Sequence, residues 1–390
     1  MNNVNTYIEQ FGDYSFTDMD VNEVDALIFS QLAYTGFEEI VDFNGELTLA
    51  EAAEKFFELN DEETVNSLIS ISQKSALLLG ECAKTKRFGN VIICHYINSI
   101  SAQIDKQFCA VQFMLDNGDE LVAFRGTDVT VTGLKESAML SYMFPVPAQI
   151  EALYYFQETA MTHTGNIILC GHSKGGNLAV FAAVSCSNSL KKRIKAVYEY
   201  DSPGFPKHFF ERYDYKEISD RLFYYTPQSS IIGRMLYHDA KPNIVHSDEI
   251  GIKQHTVSSW EVDGSTLVRY GDYDSVSDIA NEYFENVLDY VSEDDLELFF
   301  DTLEYVAENL GVASFYDIKD IDLKSAMKIM DTIKTLDEDK RETFKFVMKK
   351  FTKDFAKLYF FSKKQEYMEK WESFRGKGSD EEEQQKDAIE

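Results

Sequence analysis

The chain has 390 residues and a formal net charge of −29, with 44% hydrophobic and 14% aromatic residues. That composition suits a packed globular protein rather than a disordered one, and the length suits one main domain with appendages. The acidic field repels phosphate backbones and anionic membrane surfaces, which argues against nucleic-acid partners and leaves neutral lipids and small esters open.

The opening stretch MNNVNTYIEQFGDYSF has no basic n-region and no apolar h-region, so no signal peptide is expected. No apolar run reaches the length of a membrane span. The five cysteines (Cys82, Cys94, Cys109, Cys170, Cys186) are odd in number and lack metal-ligand spacing. These signs point to a reduced, cytoplasmic protein without a metal. Val24, Leu27, Ile28 and Leu32 share one face of a predicted helix over residues 21–34, after the acidic start at Asp18 and Asp20. A further helical segment is predicted over about residues 47–79.

The pattern then turns strand-like. Residues 91–97 and 107–115 are rich in β-branched and aromatic side chains, and Asp116-Asn117-Gly118-Asp119 is a hairpin turn into 120–125. A helix at about 148–161 precedes the apolar run at 167–170, and strands at 194–200, 221–225 and 243–247 follow. Strands separated by helices predict an α/β fold with a mostly parallel, helix-covered sheet and an antiparallel entry hairpin. From about residue 275 the strand signal ends: Ile279, Tyr283, Val287 and Tyr290 repeat at helical spacing, as do Phe344, Val347, Phe351, Phe355 and Leu358. The expected organisation is an N-terminal helical segment (1–80) on the core, the α/β core (81–274), a C-terminal helical domain (275–375) and a disordered acidic tail (376–390).

Chemistry concentrates at NIILCGHSKGGNLAVFAA, residues 166–183. An apolar strand stops at Gly171-His172-Ser173-Lys174-Gly175, and a small-residue helix follows. Such a strand–turn–helix elbow holds a serine at strained backbone angles and pushes its hydroxyl into the open. The same turn leaves the Lys174 amide at a helix N-terminus, where it can donate to a developing oxyanion. Val122-Ala123-Phe124-Arg125-Gly126-Thr127-Asp128 ends a neighbouring strand and offers a second donor at Thr127. Each donor of this kind lowers a barrier by roughly 3 kcal/mol in measured oxyanion holes.

The pairing of AFRGTD with ILCGHSKGGNLA resembles the class 3 lipase group of α/β-hydrolases, whose motifs are F-R-G-T/S and G-H-S-x-G-G. The chain is similar to a bacterial family of uncharacterised lipase-like proteins within that group. Shared blocks include Asp25-Ala26-Leu27, Val146–Gln149, Asp201-Ser202-Pro203-Gly204-Phe205, residues 225–233, Gln254-His255 and Ser259-Trp260. The resemblance covers about two thirds of the chain and leaves out the C-terminal helices. It implies a serine hydrolase of the lipase or esterase type, with Thr127 and Lys174 at the oxyanion positions and no cofactor.

In this fold the triad runs Ser, acid, His along the chain. His172 packs beneath the elbow, and His95, His163 and His208 come too early. Of His238, His246 and His255, the last sits in a loop before Trp260 and matches the histidine position of the resembled lipases, with His246 second. The lipase acid position falls on Ser229-Ser230, which holds no carboxylate. Asp201 is the substitute, one strand earlier, against the alternative that it caps the Ser202-Pro203-Gly204 turn. Asp239 and Asp248 are weaker candidates, and Ser230 itself can stand as a neutral partner. The Lys174 side chain is expected to lie over the surface; pairing with Glu136 or Asp201, or meeting an anionic substrate group, are its other readings. Residues 128–147 read as a loop whose Leu140, Tyr142, Met143 and Phe144 either cover the site or pack on the core. The missing acid motivates a rival function, a non-catalytic binding protein on the same fold. The C-terminal helices are expected to regulate access, dimerise or dock a protein partner.

Overall fold

Side chains alternate along the central strands so that both faces of the sheet are apolar. In β5 (Ile167–His172), Ile168 and Cys170 join one buried cluster while Ile167 and Leu169 join the other. A sheet greasy on both sides must be covered on both sides. The computed structural model describes residues 2–128, 130–212, 215–310 and 331–350.

Eight strands form one sheet in chain order: β1 (Glu46–Thr48), β2 (Ile92–Ser101), β3 (Lys106–Met114), β4 (Glu120–Phe124), β5, β6 (Ile194–Tyr200), β7 (Leu222–Pro227) and β8 (Pro242–Val245). The first four run antiparallel and β4 to β8 run parallel. One face carries α1 (Val4–Phe11), α2 (Glu23–Leu32), α3 (Leu49–Leu59) and α4 (Ser70–Cys82). α5 (Val131–Met139) follows β4. The opposite face carries α6 (Pro147–Thr159) and α7 (Lys174–Ser185). This is the α/β-hydrolase architecture: a mostly parallel sheet between helical layers, with its parallel strand ends on one edge.

The segment predicted as one helix over 47–79 is broken. Leu47 and Thr48 pair with Ile93 and Ile92 as an edge strand. Asn60 then ends α3 in extended backbone, and the Asp61 carboxylate accepts from the Thr64 amide to start a new helix. Residues 128–147, read as a loop, contain α5, whose first turn is capped by Thr130 accepting from the Gly133 amide. The buried pair Arg87–Asp25 ties the first helical layer together, with Nη2 to Oδ2 2.5 Å and Nε to Oδ1 2.7 Å.

Beyond β8 come α8 (Ser275–Tyr290) and α9 (Glu293–Leu310), then helical residues within 331–350. Tyr283, Leu296, Phe299, Phe344 and Val347 form their apolar cluster. Tyr290, expected on the buried stripe, is 67% exposed. The side chain of Val287, together with Phe351, Phe355, Leu358 and the predicted tail at 376–390, lies outside the described residues. α9 packs on α5, where Lys135 reaches Asp105, Asp301 and Glu304 at 2.9, 2.9 and 2.6 Å. Among the described residues no helix is long and apolar enough to cross a membrane.

Candidate active site

Ser173 stands where β5 turns into α7, at φ 57° and ψ −135°. A non-glycine residue in that region costs about 1–3 kcal/mol and needs neighbours that enforce it. Here the Ser173 amide donates to the Tyr200 carbonyl at 2.9 Å, pinning the apex to the end of β6. The turn is closed by glycine: a Cβ on Gly171 would stand 2.2 Å from the Gly175 carbonyl, and one on Gly175 would stand 2.0 Å from the Phe124 oxygen. β4 therefore runs against the elbow, bringing Thr127 and Lys174 to the same cavity wall as Ser173. Among the described residues, no backbone carbonyl takes either amide.

His255 ends a short turn of 3₁₀ helix, Gly251–His255. Its Nδ1 lies 2.6 Å from Asp201 Oδ2. Asp201 is buried directly after β6, and its other oxygen accepts from Ser230 Oγ at 2.5 Å, Thr226 Oγ1 at 3.0 Å and the Gly233 amide at 3.1 Å. Burial raises this carboxyl, yet the hydrogen bond and charge of His255 and the Ser230 hydroxyl outweigh it and hold it below the ordinary carboxylate value. Asp201 thus stays an anion facing an imidazole. His172 lies beneath, 4.4 Å from the His255 ring, and burial with the neighbouring His255 pushes it down to about 3. It is neutral at any working pH.

The other candidates sit elsewhere. His246 is 2.7 Å from Glu261, and His238 stacks flat on Tyr224; neither lines the cavity. Asp239 and Asp248 are exposed and also outside it. Ser229 donates to Asp274, while Ser230 donates to Asp201 rather than replacing it.

The Lys174 side chain departs from expectation. It is buried, not spread over the surface, with Nζ 2.6 Å from Glu136 Oε2, 2.8 Å from the Gln107 carbonyl and 2.9 Å from Gln107 Oε1. Burial lowers its ammonium against the pull of Glu136. Glu136 also accepts from the Gln107 and Ala148 amides, so the pair welds α5 to the elbow. With those partners the ammonium is consumed and cannot greet a substrate anion.

Ser173, Thr127, Lys174 and His255 share a cavity of about 470 Å³ walled by Leu134, Leu140, Met235, Leu236, Phe284 and Phe300 among others. Of the four apolar residues singled out in 128–147, only Leu140 lines it. Phe144 packs on Phe181 and Phe209, Tyr142 stacks on Phe300, and Met143 faces solvent. Sequence reasoning missed the contribution of α8 and α9: their helical periodicity was visible, but not that Phe284, Leu296 and Phe300 would wall the site. Among the described residues no cluster of His, Cys, Asp or Glu is placed to hold a metal.

A family model described as Mbeg1-like matches residues 82–304, more than half of the chain, and the chain belongs to that family. No curated protein matches it. Among solved structures it is similar to M37 lipase, at 16% identity and a TM-score of 0.35, covering 55% of this chain and 70% of that one. It is also similar to the native Rhizomucor miehei lipase propeptide complex, at 11% identity and a TM-score of 0.32, covering 57% and 67%. These likenesses are loose, and the fold assignment rests on the strand order.

Proposed function

We propose that this member of the Mbeg1-like family is a serine hydrolase acting on uncharged carboxylic esters with an apolar acyl group. The observation that carries the reading is the 2.6 Å His255–Asp201 bond beside a serine held at the crest of a strained elbow, on one cavity wall. In this reading His255 Nδ1–H donates to Asp201, which leaves the Nε2 lone pair free to act as base. Ser173 Oγ attacks the ester carbonyl carbon as His255 takes its proton. The negative oxygen is held by the Thr127 and Lys174 amides. Collapse expels the alcohol, which leaves with the proton from His255. Water, deprotonated by the same imidazole, then attacks the acyl-enzyme and frees the acid and Ser173.

The apolar lining and the spent Lys174 ammonium favour a neutral substrate. The rival reading, a non-catalytic binding protein, drew on the missing carboxylate at Ser229-Ser230; the Asp201–His255 bond supports the enzyme reading against it. The test is labelling by a fluorophosphonate probe with a short p-nitrophenyl ester panel alongside. Expected are labelling and turnover by the wild type, both lost in Ser173→Ala. A folded wild type that the probe does not modify would overturn the proposal.

A further inference from the structure

Tyr34 follows α2, in the helical layer that precedes the family match at residue 82. It is 4% exposed, and its hydroxyl reaches the underside of the site. Two groups meet that hydroxyl. The Gly126 backbone, next to Thr127, lies against the phenol oxygen. That approach is close enough that a Cβ on Gly126 would stand 2.1 Å from it. His172 Nδ1 lies 3.0 Å away, and the other ring nitrogen of His172, Nε2, lies 2.7 Å from the His255 carbonyl.

Elementary hydrogen-bond chemistry orients the chain. A carbonyl only accepts, so His172 Nε2 carries the proton. The neutral ring then has only a lone pair at Nδ1, and the Tyr34 hydroxyl donates to it at 3.0 Å in preference to the His172 carbonyl at 3.4 Å. A hydrogen-bonded sequence therefore runs from Tyr34 through His172 to the His255 main chain, with the Gly126 backbone packed against its first member. We propose that Tyr34 is a positioning residue of this site, joining the oxyanion strand to the backbone of the base through His172. The N-terminal helical layer is thus part of the active site rather than a cover on it. The inference rests on the hydrolase reading above.

His172 must also remain uncharged, since a second imidazolium 4.4 Å from His255 would oppose protonation of the base. The groups facing it are Tyr34, His255 and, more distantly, Asp201. Displacements of about 1 Å in such constellations cost on the order of a hundredfold in rate.

The experiment measures the second-order rate of fluorophosphonate labelling at Ser173 in the full chain, with thermal midpoints recorded on the same samples. Well below the melting transition, Tyr34→Phe should react at least tenfold slower than the wild type. His172→Leu should fall as far, whereas His172→Gln, whose amide can still donate to the His255 carbonyl, should keep most of the rate. Tyr34→Phe reacting like the wild type, or equal losses in His172→Leu and His172→Gln, would overturn the proposal. A wild type that is never labelled would instead bring down the hydrolase reading beneath it.

Discussion

Replacing Asp201 by asparagine puts the proposed triad to its sharpest test, because the surrounding bonds dictate how the new amide must sit. The inner oxygen of Asp201 accepts from three donors: Ser230 Oγ, Thr226 Oγ1 and the Gly233 amide. An NH₂ group there would face the Gly233 amide, which can only donate, and leave the two hydroxyls to turn round, so the asparagine carbonyl takes that place and its NH₂ turns to His255. An amide donor facing Nδ1 makes that nitrogen the acceptor and moves the ring proton to Nε2. The lone pair that should receive the Ser173 proton is then gone. In serine proteases the corresponding change leaves the geometry intact and lowers kcat about 10⁴-fold, or roughly 5 kcal/mol of barrier. We expect a loss of that order in p-nitrophenyl ester turnover for Asp201→Asn, with thermal stability close to wild type. Turnover within threefold of wild type in a folded Asp201→Asn variant would refute the assignment of both acid and tautomer.

Three further outcomes follow from buried charge and from packing. Lys174→Met strips Glu136 of its cation while leaving the carboxylate 0% exposed, which should destabilise the protein by about 3–5 kcal/mol in urea unfolding. Adding Glu136→Gln should restore much of that loss, and additive losses in the double variant would refute the coupling. Glu199 is buried and, among the described residues, takes a side-chain hydrogen bond only from the Ser202 hydroxyl; burial raises its carboxyl from 4.5 to about 8. Because the folded value lies above the unfolded one, its contribution is complete below pH 4.5 and fades as pH climbs through 8. Relative to wild type, Glu199→Gln should gain on the order of 4 kcal/mol between pH 5 and 9; a pH-independent difference would sink that account. Lys135→Ala removes the clasp between α5 and α9, and should raise amide exchange in α9 while costing about 1–2 kcal/mol. Unaltered exchange there would show that apolar packing alone holds the helix.

The parts of the fold that could be read in the sequence are those where local chemistry and tertiary context agree. The strands at Ile167–His172 and Ile194–Tyr200 were plain because a short apolar run, and a short segment carrying Ile, Val and two Tyr, between turn residues have few other uses. α5 was hidden because its nine residues, VTGLKESAM, are weakly amphipathic and carry a glycine. Two buried ions on it, Lys135 and Glu136, have partners in distant segments. Lys174 was expected over the surface, with Glu136 among its alternative partners; that pairing is the one formed, and what the sequence does not announce is that Gln107 joins Glu136 to bury the ammonium. α2 shows the limit of pattern reading. Val24, Leu27, Ile28 and Leu32 predicted one buried stripe, yet every residue from Val24 to Leu32 is buried, including Asp25, whose partner Arg87 lies far along the chain.

The carboxylate is the subtlest case. The resemblance points to a position after β7, and this chain has Ser229-Ser230 there. The structure brings the ends of β6 and β7 side by side: the Asp201 amide donates to the Tyr225 carbonyl at 2.7 Å. The Asp201 carboxylate, carried on β6, therefore stands beside the end of β7, with its backbone turned to φ 44°. Ser230, at the end of β7, reaches across and donates to Asp201. The two alternatives that the sequence left open, an aspartate on the earlier strand or a serine on the later one, are thus one hydrogen-bonded unit. Moving the acid back, as Asp201→Ser with Ser230→Asp, should then return part of the turnover lost in Asp201→Ser alone. No recovery would mean that the end of β7 cannot point a carboxylate at His255.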